Sequence, residues 1–250
     1  MFEERGIFVK KSLIILCIFM LTTLLLSCGA DVEPEHTDDM TWMDENCEAV
    51  TVLCEETVDV QSVEYSPLAK AEFLEPIEDF SWEREFAPEY VVIHFTSAVV
   101  LSKEDPYNME TVRNIFVDGG ISINYIIDRD GEIYCYMPET RAAWHAGKGY
   151  FGGDERLTNA MNKYSIGIEV LAIGSENDMA QYLEKDEYVV LDKSFIGYTD
   201  AQYESLSLLV RDICSRNEIP FERTHVIGHE EYSLHKSDPG ELFDWSRILN

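Results

Sequence analysis

The sequence predicts a mixed α/β domain, a central mixed β-sheet flanked by helices, on three observations. Short β-branched, apolar runs recur from about residue 89 onward. Two segments with helix start and stop signals lie among them. One Asp-Gly turn joins two of the runs as a hairpin. Strands interspersed with helices in this way make a layered domain around one core, and 250 residues suffice to bury it.

Each element follows in order. Residues 90–95, YVVIHF, fit a buried strand. Asp105-Pro106 supplies a cap and a first-turn proline for a helix that Gly119-Gly120 closes. Residues 122–127 and 132–137 flank Asp128-Arg129-Asp130-Gly131, whose Asp-Gly end is a hairpin signal. Residues 165–172 form another strand. The acidic stretch 175–198 reads as an insertion running as a surface loop. Thr199-Asp200-Ala201-Gln202 is a capping box, and Tyr203, Leu206, Leu209, Val210 and Ile213 follow at helical spacing. Residues 224–228 make a last short strand. No internal repeat is visible.

Upstream, Lys10-Lys11 precede the apolar run 12–26, too short to span a bilayer, which needs about 20 residues. The run ends Leu25-Leu26-Ser27-Cys28, which resembles the lipobox of bacterial lipoproteins. The expectation is a signal over 1–27, lipid on Cys28, an acidic tether over 28–48, an N-terminal extension over 49–88 and the main domain over 89–250. Gly29, not aspartate, follows the lipid-bearing cysteine, so the periplasmic face of an outer membrane is the expected location. Export permits disulfides: Cys47 and Cys54 could close a small loop, while Cys135 and Cys214 read as small buried apolar residues. With 48 acidic against 19 basic side chains and a net charge of −29, nucleic acid is excluded as a partner for the body of the protein.

Of the six histidines, His36 lies in the tether. His94 ends the first strand, and His229 follows Gly228 nine residues before Asp238-Pro239-Gly240. Two histidines and a carboxylate are a known set for a hydrolytic zinc, which keeps one position open for water. Spacing alone leaves alternatives open. His225 could pair with His229 at i, i+4, or His94 could be a satisfied core histidine.

IHFT at 93–96, SINYIIDRDGEIY at 122–134, AAWHAG at 142–147, YSIGIEV at 164–170 and GHEEYSLHKSDPG at 228–240 occur in this order. Together they resemble the zinc-dependent N-acetylmuramoyl-L-alanine amidases, the type 2 amidases related to peptidoglycan-recognition proteins and phage endolysins. The resemblance spans residues 89–248. Leu242-Phe243-Asp244-Trp245 and the lipobox resemble the branch with lipid-anchored members. The resemblance implies that fold, one Zn2+ held by His94, His229 and Asp238, and cleavage between the lactyl group of N-acetylmuramic acid and L-alanine. Relatives that use cysteine as third ligand differ from this chain, where aspartate is a harder donor still suited to zinc.

The resemblance further implies Glu169 as acid/base and Lys236 as the group steadying the oxyanion. Other family members use a tyrosine where Ile123 stands here. Trp144 and His145 are implied as cleft walls contacting substrate, with core packing as the alternative. Asn124, where relatives often carry histidine, is a substrate or supporting contact. His225 becomes a strand residue near the site, and His235 is exposed. The implied partners are peptidoglycan or muropeptides and a membrane reached through the N-terminal lipid, with the protein acting as a monomer. A peptidoglycan-binding module on the same fold, without catalysis, is the rival.

Overall fold

The computed structural model describes residues 64–249. The expected signal, Cys28, the tether and the Cys47/Cys54 pair lie outside the described residues. In chain order the strands are β1 (Lys70–Ala71), β2 (Ser81–Glu83), β3 (Tyr90–Thr96), β4 (Tyr125–Ile127), β5 (Ile133–Cys135), β6 (Arg141–Ala143), β7 (Ser165–Leu171) and β8 (Val226–Gly228). The helices are α1 (Met109–Gly119), α2 (Met161–Tyr164), α3 (Glu176–Met179), α4 (Lys185–Val189), α5 (Asp200–Arg216) and α6 (His229–Tyr232). The main sheet runs β1-β5-β4-β7-β3-β8, and β2 pairs with β6 in a separate ribbon. Only the β4–β5 hairpin pair in the main sheet is antiparallel. The fold class read from the sequence is the one observed.

The period-2 alternation of the long strands divides the core. Val91 and Ile93 on β3, with Ile166, Ile168 and Val170 on β7, pack beneath Leu206, Leu209, Val210 and Ile213 of α5. Each fully buried aliphatic side chain of this kind contributes about 1.5–3 kcal/mol by leaving water, so this face anchors the helix. The intervening residues point to the opposite face. Val92 and Ile227 pack with Tyr232 there, and Ile126 and Leu171 pack with Val112 and Phe116 of α1. Between those two clusters the opposite face carries His94 and Glu169, which are register partners on adjacent strands.

Several boundaries differ from expectation. Helix α1 begins after Asn108, whose Oδ1 accepts from Thr111 N–H, three residues beyond the expected Asp105-Pro106 start. Asp105 instead accepts from the Asn108 side chain, so it supports the cap rather than being it. Gly120 closes the helix in the left-handed region, at φ 59°, as expected. The Thr199 capping box is present as read. The extension is part of the domain from residue 64 on: β1 adds to the sheet edge, β2 pairs with β6, and Leu74 and Phe80 enter the core beside α1. The stretch 175–198 is more than a surface loop. It contains α3 and α4, and its Met179, Leu183 and Leu191 bury against Val99 and Ile173. Cys135 and Cys214 are buried free thiols.

Candidate metal centre

His94 stands on β3, between β7 and β8, and is 2% exposed. Strand β8 pairs with β3, with Gly228 opposite Ile93, so His229 emerges beside His94 as the chain turns into α6. The chain then returns: Glu230 N–H donates to the Asp238 carbonyl at 3.0 Å, closing the loop and turning the carboxylate inward. His94 Nδ1, His229 Nδ1 and Asp238 Oδ2 converge, the two imidazole atoms 3.0 Å apart and each 2.9 Å from the carboxylate oxygen. Among the described residues this is the one group of three with metal-ligating geometry.

The protonation pattern suits a cation. His229 Nε2 lies 3.0 Å from the Ala146 carbonyl, which can only accept, so that nitrogen carries the proton and Nδ1 offers its lone pair. Burial pushes the His94 imidazole down to about 4, with His229 and Lys236 adding to the shift against Asp238, so the ring is neutral at pH 7. Two imidazole nitrogens and one buried carboxylate oxygen converging within hydrogen-bond distance of one another are a donor set that fits zinc.

Glu169 presents Oε2 to the same face with no hydrogen-bond partner, although that atom is buried. Burial first, then the Asp238 charge, pushes its carboxyl well above the usual range, and Lys236 opposes them. Lys236 itself is exposed on the returning loop, with its N–H bonded to Ser233 O. His235 beside it is exposed, as expected. Ile123 is fully buried.

The other predicted site residues take the following places. Asn124 does not face substrate: it is fully buried, accepts from Gly167 N–H, and turns its amide toward the Met137, Pro138 and Arg141 carbonyls. Its work is to splice β4 to β7 and the β6 loop. His225 is not near the site. It precedes β8 at the far end of the strand, stacks on Tyr90 at 5.5 Å and meets Thr224, which removes the His225–His229 pairing. His145 is bonded to the outer nitrogen of His94 rather than standing free as a wall: its Nδ1 lies 2.9 Å from His94 Nε2. Burial, then His94 and His229, keeps His145 neutral by lowering its pKa well below the ordinary value. Trp144 is half-buried and packs on the exposed Trp82 of β2, centroids 5.5 Å apart.

Sequence reading missed the clasp on the ligand loop. Asp178 of α3 is 3% exposed, and its Oδ2 accepts from Ser175 N–H at 2.9 Å and Glu241 N–H at 3.1 Å. Its carbonyl accepts from Ser237 Oγ, and the Tyr198 hydroxyl donates to Pro239 O at 2.6 Å. Gly240, at φ 80°, lies so close that a Cβ there would sit 2.5 Å from Asp178 Oδ2. The one signal available was the Ser175-to-Asp178 spacing of a capping box, which is present.

Residues 84–241 match the family model described as N-acetylmuramoyl-L-alanine amidase. The chain is 34% identical over 129 residues to the 1,6-anhydro-N-acetylmuramyl-L-alanine amidase AmpD of Enterobacter cloacae, covering 51% of this chain and 55% of that protein. It is 32% identical over 117 residues to the N-acetylmuramoyl-L-alanine amidase AmiD of Escherichia coli, covering 46% of this chain and 36% of that one. The matched part thus spans about half the length of the AmpD relative. A crystal structure of a selenomethionine AmpD derivative superposes with a TM-score of 0.51 at 25% identity, over 74% of this chain and 95% of the other.

Proposed function

The chain belongs to the N-acetylmuramoyl-L-alanine amidase family, and from that premise we propose that it hydrolyses the amide between the lactyl group of N-acetylmuramic acid and L-alanine, with one zinc held by His94, His229 and Asp238. The observation that carries this reading is the convergence of two imidazole Nδ1 atoms and a buried carboxylate beside Glu169. Bound there, zinc would supply an activated water and a polarised carbonyl.

Glu169 is the proton carrier in this reading. Its buried, unpartnered Oε2 and raised pKa suit a carboxylate that takes a proton from the attacking water and returns it to the departing alanine nitrogen. Lys236 projects its charge toward Glu169 and the ligands and would steady the negative carbonyl oxygen of the tetrahedral stage. We propose further that the protein acts as a monomer. The relatives named as 1,6-anhydro amidases support muropeptide turnover fragments among the substrates. We further propose that lipid on Cys28 anchors the protein at the periplasmic face of an outer membrane. Loss of membrane-associated protein in Cys28→Ala would support the anchor, and an unchanged distribution would remove it.

The decisive experiment digests purified sacculi and anhydro-muropeptides and reads the products by mass. Release of free stem peptide, lost with a chelator and restored by zinc, is the expected outcome. Zinc-loaded protein that retains muropeptides but releases no peptide would make this a binding module instead.

A further inference from the structure

Behind His94, away from the converging donors, runs a file of hydrogen bonds that ends on a backbone carbonyl. We propose that Ser165 and His145 are positioning residues that set the proton of His94 on Nε2, leaving Nδ1 free for the metal. The inference rests on the zinc reading above for its consequence, though not for its geometry.

The direction of each bond follows from the one before it. The Met161 carbonyl can only accept, and Ser165 Oγ lies 2.7 Å from it, so the single hydroxyl proton is committed there. Ser165 Oγ also lies 3.2 Å from His145 Nε2, and having spent its proton it can only accept. His145 Nε2 therefore carries the hydrogen. A neutral imidazole has one, so His145 Nδ1 is a lone pair, facing His94 Nε2 at 2.9 Å. His94 Nε2 must then be the donor, and its Nδ1 is bare toward His229 Nδ1 and Asp238 Oδ2. The opposite tautomer would put a proton on Nδ1, where it would bond Asp238 at 2.9 Å and close the site to a cation.

The neighbours hold His145 in this role. Its ring stands over Gly167, where a Cβ would meet the imidazole at 2.7 Å, so the strand lets the ring lie flat against its backbone. Asn162 Oδ1 accepts from both His145 N–H and Ala146 N–H, fixing the segment from the other side. The two rings meet edge to face, centroids 5.0 Å apart at 87°. Ser165 is fully buried at the start of β7. The same segment serves the second ligand as well, because Ala146 O fixes the tautomer of His229. One stretch, His145-Ala146, thus sets the protons of both histidines.

The test uses the full chain stripped of metal. Long-range proton–nitrogen NMR on metal-free protein should show His94 protonated on Nε2; protonation on Nδ1 overturns the proposal. In Ser165→Ala the His145 and His94 tautomers should mix, and zinc affinity measured against a chromophoric chelator should fall about tenfold. Unchanged affinity and unchanged tautomers in folded Ser165→Ala also overturn it. Should Ser165→Ala fail to fold, His145→Phe fills the space over Gly167 without offering an acceptor, and the same two outcomes apply. The tautomer measurement needs neither zinc nor substrate. A protein that binds no zinc would therefore sink the amidase reading while leaving the proton order legible.

Discussion

The two halves of the site are held by different means. His94 and Glu169 stand opposite each other on β3 and β7, whose seven register pairs leave the backbone little freedom. Asp238 and Lys236 stand on a return loop that follows β8 and His229 and meets the sheet again where Asp238 Oδ2 lies 2.9 Å from His94. That loop is held by side chains from the insertion, Asp178 and Tyr198. In the first half hydrogen bonds between backbones set the positions, and any residue at the right register inherits them. In the second half a few polar side chains do so, together with the backbone bond from Glu230 to Asp238. Such a division suits a site with a rigid proton carrier on one side and a more adjustable charge clamp on the other.

The largest effect should come from the rigid half. Glu169→Gln keeps the shape and hydrogen-bonding capacity but cannot carry the proton. Turnover should fall about 10³-fold while zinc content stays at one per chain. Near-normal turnover would remove Glu169 from the chemistry. Loss of zinc with the activity would mean that Glu169 also supports the ligands, and its role as proton carrier would not be separable from metal binding.

The loop half offers a smaller effect. Lys236 is exposed, and its charge acts on groups that lie deeper. Lys236→Ala should lower kcat by more than tenfold with zinc affinity preserved, whereas a rise in KM alone would assign it to substrate binding. The same substitution should raise the Glu169 pKa further, since the lysine opposes its upward shift. The acidic limb of the pH–rate profile should then move to higher pH, because the carboxylate form is lost sooner as pH falls.

The contrast also explains what was legible in the sequence. The strands, α5 and its Thr199 cap follow from local periodicity and cap chemistry, which need no knowledge of distant residues. The candidate ligands needed more. His94 and Glu169 are 75 residues apart and meet only through strand register, so spacing could not pair them and the ordered motifs had to. Asn124 was read as a substrate or supporting contact, and the choice between the two was not legible because its buried backbone partners, Gly167 among them, come from elsewhere in the chain. The insertion was read as a loop because Met179, Leu183 and Leu191 are isolated in an acidic background with no sustained period. Ser165 carried no signal beyond being a hydroxyl in an apolar run.

Asp178 is where the smallest of these effects should be read. Its carboxylate takes two backbone N–H groups, one inside α3 and one at Glu241 just past the ligand loop. Asp178→Ala leaves both part-buried donors short of a charged acceptor and should cost about 1 kcal/mol in stability. The variant should bind zinc up to about tenfold more weakly, because Asp238 loses its backing three residues away from Glu241. The His94 tautomer should not change, since Met161, Ser165 and His145 lie outside the clasp. Asp178→Asn retains one acceptor oxygen and should fall between the two. If Asp178→Ala melts earlier yet binds zinc as tightly as the native chain, the insertion stabilises the fold without tuning the ligand. The loop would then be rigid by its own Glu230-to-Asp238 bond, and the two halves of the site would be alike after all.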